Sequence, residues 1–179
     1  LKETKKAEAA ITDAVRYSEI FYALFYDSAK AYTMLAMSYG NLALFKGGNE
    51  KIKLAEKIRE NVEKSIELNP NDYLPYIIMG IYNRQIASLN WFERAFANTF
   101  WGEVPEGSLS AAEQFLLKAL QVQPGMVTAM FNLSLVYKEM DDERNEVYWL
   151  KQIVDAPITD FRDKYSKRKA KDRLNQLLN

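Results

Sequence analysis

The sequence predicts an all-α fold, an array of stacked helix pairs with about eight helices. Three observations predict it. Apolar residues recur with helical periodicity along most of the chain, the spacing that gathers them on one face of a helix. Most glycines and prolines fall between those segments, at Gly47-Gly48, Pro70, Gly102 to Gly107 with Pro105, Pro124-Gly125 and Pro157, where they punctuate rather than break. No Asn-Gly or Asp-Gly pair separates alternating apolar runs, so no hairpin is signalled.

Taken in chain order, helices are expected over 4–25, 28–45, 50–68, 72–99, 109–122, 126–139, 142–155 and 159–178. The first two hold the most apolar region, Phe21 to Phe45, which Asp27, Lys30 and Asn41 interrupt. Gly47-Gly48 ends the second and Pro70 the third. In the fourth, Pro75 falls in the first turn, where a missing N–H costs little. Ser110 and Glu113 have the spacing of a capping box for the fifth. Asp141, Asp142, Glu143 and Glu146 open the seventh as a solvated cluster favoured by the helix dipole. Thr159 with Asp160 suits the start of the last.

Internal repeats follow from the same segments. In the tetratricopeptide pattern the first helix carries an aromatic, Leu, a small residue and an aromatic, and the second carries Ala, a large apolar residue, Ala and a closing Pro. Tyr32, Leu35, Ala36 and Tyr39 fit the first half; so do Met130, Leu133, Ser134 and Tyr137. Ala112, Leu116, Ala119 and Pro124 fit the second half, and Val62, Ser65 and Pro70 fit it more weakly. Tyr76, Met79 and Gly80 fit until Asn83 replaces the second aromatic. The expectation is one helical repeat domain over 1–179, with repeats starting near 29, 73 and 127 and helix 159–178 as a cap. The spacings of 44 and 54 residues exceed the usual ~34. Insertions are therefore expected around Gly47-Gly48 and between Ser88 and Gly107.

The second insertion carries a more specific likeness. Ser88, Leu89, Trp91, Glu93, Arg94, Ala97, Phe100, Gly102 and Pro105, followed by Ala112 and Phe115-Leu116, resemble the regulator of microtubule dynamics family, in a bacterial-type form. The run from Ile58 to Pro70 and the tail from Trp149-Leu150 through Pro157 to Leu177-Leu178 are similar to the same family. The resemblance covers roughly 46–178 and implies a tetratricopeptide-like helical protein. For animal members it implies binding or tethering at membranes or the cytoskeleton. No residue motif here writes an affinity for tubulin.

Composition narrows the function. Lys plus Arg equal Asp plus Glu at 24 each, so nucleic acid is not an expected partner. The absence of cysteine and histidine removes disulfides, thiolate nucleophiles, His-centred triads and Cys/His zinc sites. No P-loop glycine pattern is present. No enzyme, cofactor or metal is expected, and no segment reaches the ~18 apolar residues of a membrane span. Leu1 in place of an initiating methionine implies an upstream segment, the expected carrier of any export or tethering signal; compartment stays open.

The expected site is the face of the first helices opposite the core. The stripes are Lys30, Thr33, Met37 and Gly40; Leu74, Ile77, Ile81 and Arg84; and Thr128, Phe131, Leu135 and Lys138. The candidate groove is therefore Met37, Asn41, Leu74, Ile77, Ile81, Arg84, Gln85, Phe131, Leu135 and Lys138. Asn132 adds a further polar group, although these do not form the familiar peptide clamp. A helix apolar on two faces must cover the second. The expected occupant is a protein or peptide segment. The alternatives are an apolar or anionic amphiphile, or the first helix itself through Ile11, Val15, Phe21, Leu24 and Phe25. Trp91, Phe92, Phe96, Phe100 and Trp101 read as insertion packing ahead of a ligand box, and the basic last helix as a solubilising cap ahead of a surface for acidic partners or lipid headgroups.

Overall fold

The computed structural model describes residues 2–46, 48–89, 91–100 and 103–178, without the side chains of 2, 3, 48, 91, 92 and 96. Among the described residues the chain is all-α, a repeat array without strands. The helices are α1 (Lys2–Leu24), α2 (Ala29–Ala43), α3 (Gly48–Leu68), α4 (Leu74–Ala87), α5 (Trp91–Phe100), α6 (Leu109–Val122), α7 (Val127–Glu139), α8 (Glu143–Asp155) and α9 (Phe161–Leu178). They fall into two compact units, Leu1–Ile78 with Leu89–Glu106, and Met79–Ser88 with Gly107–Asn179.

In the first unit α1 packs on α2 and α2 on α3. Short polar side chains fix their register. Ser18 Oγ lies 2.6 Å from Ser38 Oγ, and the Tyr39 hydroxyl donates to the Glu19 carboxylate at 3.0 Å. Thr33 and Ser65, both buried, join α2 to α3 at 2.7 Å. Tyr22 meets Tyr32 while Ser18 meets Ser38, and Gly40 lies by Ile58 while Thr33 meets Ser65, an opposite order that makes both pairs antiparallel. Ala31 and Ala36, wholly buried, leave room for the approach. Burial and the Glu19 carboxylate push the Tyr39 hydroxyl up to about 12. The Tyr76 hydroxyl donates to the Pro70 carbonyl and Asp72 accepts from the Leu74 amide, which closes the turn into α4. After α5, the Val104 amide donates to Asn98 Oδ1 and folds the following loop back on its own helix.

In the second unit the seam between α4 and α6 rests on Gly80. A β-carbon there would stand 2.5 Å from Leu116 Cγ and 2.8 Å from its Cδ2. Ala112, Leu116 and Ala119 of α6 and Leu133 and Val136 of α7 are wholly buried. Val127, Met130, Leu150, Ile153, Ala156 and Ala170 form a further core with Leu174 and Leu177 of α9 packed against it. At the start of α9, Asp160 accepts from the Arg162 and Asp163 amides, and Asp163 accepts from the Thr159 amide and hydroxyl and the Asp160 amide. Thr159 and Asp160 thus start the helix as expected.

Three local expectations are corrected. The 72–99 helix is two helices: the Ser88 amide still bonds the Arg84 carbonyl at 2.9 Å, but its hydroxyl shares that carbonyl at 2.8 Å and lies 2.7 Å from the Glu139 carboxylate, competing locally for backbone groups. Ser108, not Ser110, caps α6, accepting from the Ala111 amide, while Glu113 accepts from the Tyr137 hydroxyl. Both serines suit a cap, and the one immediately before Leu109 takes the role. Glu146 is buried, not solvated, and Arg173 grips both its oxygens at 2.7 and 3.0 Å, because α9 packs over α8.

Gly80→Ala is expected to lower stability by ~1–3 kcal/mol through overpacking, read by denaturant titration, and Leu116→Val in the same chain to recover part of the loss. Asp163 supplies a pH test. Burial raises its pKa, but the Thr159 and Asp160 donors outweigh that and hold the carboxyl below its ordinary value. A lowered folded-state pKa contributes stability above the unfolded value of about 3.9 that disappears as pH falls through the folded one. Asp163→Ala should therefore cost ~1–2 kcal/mol at neutral pH, and the gap from the parent chain should close in acid below that value.

Candidate functional site

Each expected groove residue is best placed within its own unit. In the first unit, Met37 and Asn41 are exposed, Leu74 is half-buried and Ile77 is buried. The α2 stripe that holds Met37 is largely a helix seam. Thr33 bonds Ser65 of α3, and Gly40 lies beside Ile58 of α3. The open concave face expected at Thr33 and Gly40 is therefore corrected, since α3 covers that side of α2. The first helix meets α2 through Ser18, Glu19 and Tyr22, the last ring edge-on to Tyr32 at 5.1 Å. Ile11, Val15 and Phe21 are half-buried, whereas Leu24 and Phe25 are exposed.

In the second unit Arg84 reaches across from α4 to the end of α7, where its Nη1 lies 2.5 Å from Glu139 Oε1. That link joins the two helices at this end. Ile81 is one turn before Arg84, and Leu135 one turn before Glu139, so both flank the ion pair on the same helix faces. Both are half-buried, and Gln85 and Lys138 are exposed. Phe131, also half-buried, packs against the core of α7, α8 and α9.

The electrostatics differ from the cationic groove end that the residue types suggest. The Arg84 side chain is 12% exposed and the Glu139 side chain 29%. Glu139 neutralises the guanidinium, and Arg84 Nε is buried without a hydrogen-bond partner. Lys138 is the cation left facing solvent among the candidates. An anionic amphiphile therefore loses the headgroup partner that Arg84 was expected to supply. Asn132 donates to the Thr128 carbonyl one turn back, so its amide serves its own helix. Glu139 and Ser88 are the residues that pattern reading missed. Glu139 stands one place beyond Lys138, the α7 equivalent of Arg84. The opposite charges at neighbouring positions of successive first helices were the available signal.

Phe100 of the aromatic run is exposed; the side chains of Trp91, Phe92 and Phe96, and Trp101 altogether, lie outside the described residues. No described helix is long and apolar enough to cross a membrane.

A family model described as regulator of microtubule dynamics protein 1-3 matches residues 1–178. Regulator of microtubule dynamics protein 3 of Xenopus laevis is 27% identical over 140 residues, covering 78% of this chain and 30% of that protein. Protein 1 of Bos taurus is 28% identical over 138 residues, covering 76% and 44%. Protein 2 of Bos taurus is 32% identical over 90 residues, covering 50% and 22%. The matched segment spans less than half the length of each of these relatives.

The ion pair generates a stability test. Arg84→Met and Glu139→Gln should each cost ~1–2 kcal/mol, since each strands a partly buried partner. The double variant should recover enough to give a coupling energy of ~1 kcal/mol in a denaturation cycle. Strictly additive losses would show that the two side chains do not act together.

Proposed function

The chain belongs to the regulator of microtubule dynamics family, and we propose that it is a non-enzymatic protein-interaction scaffold. Its relatives are named as regulators and not for a chemical reaction. This chain brings no histidine or cysteine to a reaction. Regulation of microtubules is said by name of those longer relatives; for the shared helical segment the proposal extends to binding a protein segment.

The observation that carries the reading is the pair of half-buried apolar side chains, Ile81 and Leu135, beside the Arg84–Glu139 link. The core is already filled by fully buried residues of α6 and α7, so these two are left to meet something else. A partner helix could lay its apolar face between them, with Gln85 and Lys138 meeting its polar edge. Affinity would come mainly from apolar burial at ~25 cal/mol per Å2.

Peptides selected by display on the parent chain provide the test. Ile81→Glu and Leu135→Glu should weaken most selected peptides by about tenfold or more, equivalent to ~1.4 kcal/mol, while leaving the unfolding transition nearly unchanged. A stability loss of ~2 kcal/mol or more on Ile81→Glu would mean that the surface is already covered within the chain. Unchanged binding by both variants would place the partner surface elsewhere.

A further inference from the structure

The last helix carries a feature that neither capping nor the Ile81–Leu135 surface uses. Two of its cations are engaged: Arg162 by Asp160 and Arg173 by Glu146. Lys164, Lys167, Arg168, Lys169 and Lys171 form no ion pair among the described residues. Four of these five line one open recess of about 420 Å3 together with Ile158 and Asp172. Lys164, Lys167, Arg168 and Lys171 follow i, i+3, i+4, i+7 spacing, which places them on one side of the helix. Ala170, Ser166 and Asp163 occupy the buried side, so the cationic row is not a by-product of packing. Next to it, Phe161 is 81% exposed and Tyr165 53% exposed. Arg162 stands over the first ring, and Arg168 and Lys169 over the second.

We propose that this face of α9, with Ile158 at its edge, docks an extended, acid-rich segment of a protein partner. Unpaired cations set closely in a row repel one another, and carboxylates inserted among them relieve the repulsion while forming charge-assisted hydrogen bonds. The row rises over seven residues, ~10 Å along the helix axis. An extended chain covers that length with about three to four residues at ~3.3–3.6 Å each, so the recognised element is a short run of Glu or Asp. Ile158 offers an apolar stop at the edge of the recess for a neighbouring aliphatic or aromatic side chain.

A bilayer surface fits less well. Asp172 lines the same recess and repels anionic headgroups and carboxylates alike, so shape decides between them. The cations also line a recess, which admits a strand more readily than a plane.

A fluorescent oligoglutamate peptide ending in tyrosine, titrated by anisotropy into the whole chain, tests the proposal. Binding is expected to weaken with added salt and to fall more than about tenfold in the K164E/K167E/K171E variant. The neutral K164Q/K167Q/K171Q variant should fall in between. Charge reversal at Lys51 and Lys53 of α3 should leave binding within about twofold of the parent chain. Far-ultraviolet circular dichroism of each variant shows that helix content is kept. Absence of peptide binding, or equal losses from reversal on α3 and on α9, would overturn the proposal. So would binding to phosphatidylserine-containing vesicles that excess peptide fails to displace and that depends on the same three lysines.

Discussion

Two helix backbones approach closely only where no side chain stands between them, and the second unit depends on that constraint at Gly80. Leu116 of α6 occupies the volume that any β-carbon at Gly80 would need. Gly107 repeats the arrangement, since a β-carbon there would lie 2.7 Å from Ile86 Cβ and press on the same helix from the chain leading into α6. With α6 seated this closely, Ala112 and Ala119 are wholly buried and the larger Leu116, Leu133 and Val136 interlock beside them. The Arg84–Glu139 link follows from this packing, because α4 lies on α6 and α6 on α7.

Small residues permit the approach but do not choose its register. That choice falls to polar pairs, buried between the small hydroxyls and part-buried at the two tyrosines. Ser18 with Ser38, Thr33 with Ser65, Tyr39 with Glu19 and Tyr137 with Glu113 each join neighbouring helices. Sliding one helix by a turn would strand both members of the two buried pairs, and an unmet buried donor or acceptor costs ~1–3 kcal/mol. Apolar side chains tolerate such a slide far better, since dispersion has little direction. Asn83 and Asn132 show another solution, donating to carbonyls one turn back in their own helices. Asn83, standing where the repeat pattern asks for an aromatic, is satisfied in this way.

Periodicity made the helices legible in the sequence, and the small–large pattern made Ala36, Gly80, Ala112 and Ala119 legible as buried positions. Helical spacing reports which residues share a face, not which element covers that face. Thr33 and Gly40 lay on the expected stripe, yet α3 sits over it. Glu146 looked like one carboxylate in an acidic helix start, and only its distant partner Arg173, 27 residues on, explains its burial. The same limit hid Glu139 as the counterion of Arg84, 55 residues away. Break points are hard to read for a related reason: Ser88 can end a helix or decorate one, depending on what its hydroxyl meets.

The makeup of the polar links has a bearing on the surroundings in which they hold. Histidine is absent, and histidine is the residue whose ordinary pKa lies between about 5 and 8. Tyr39 and Tyr137, which tie helices together through carboxylates, are pushed up to about 12 by burial and those bonds. Asp142, Asp160 and Asp163 are shifted the other way, below the ordinary value, Asp160 chiefly by the Arg162 guanidinium and the other two by the hydrogen bonds they accept at their helix starts. The shifts widen the gap between the groups that lose protons in acid and those that lose them in base. The tyrosine locks and the aspartate caps therefore keep their charge states from mildly acidic to mildly alkaline water. Mild acidification or alkalinity of the surroundings would leave those helix locks and caps as they are, and any control over them would have to act through something other than the proton.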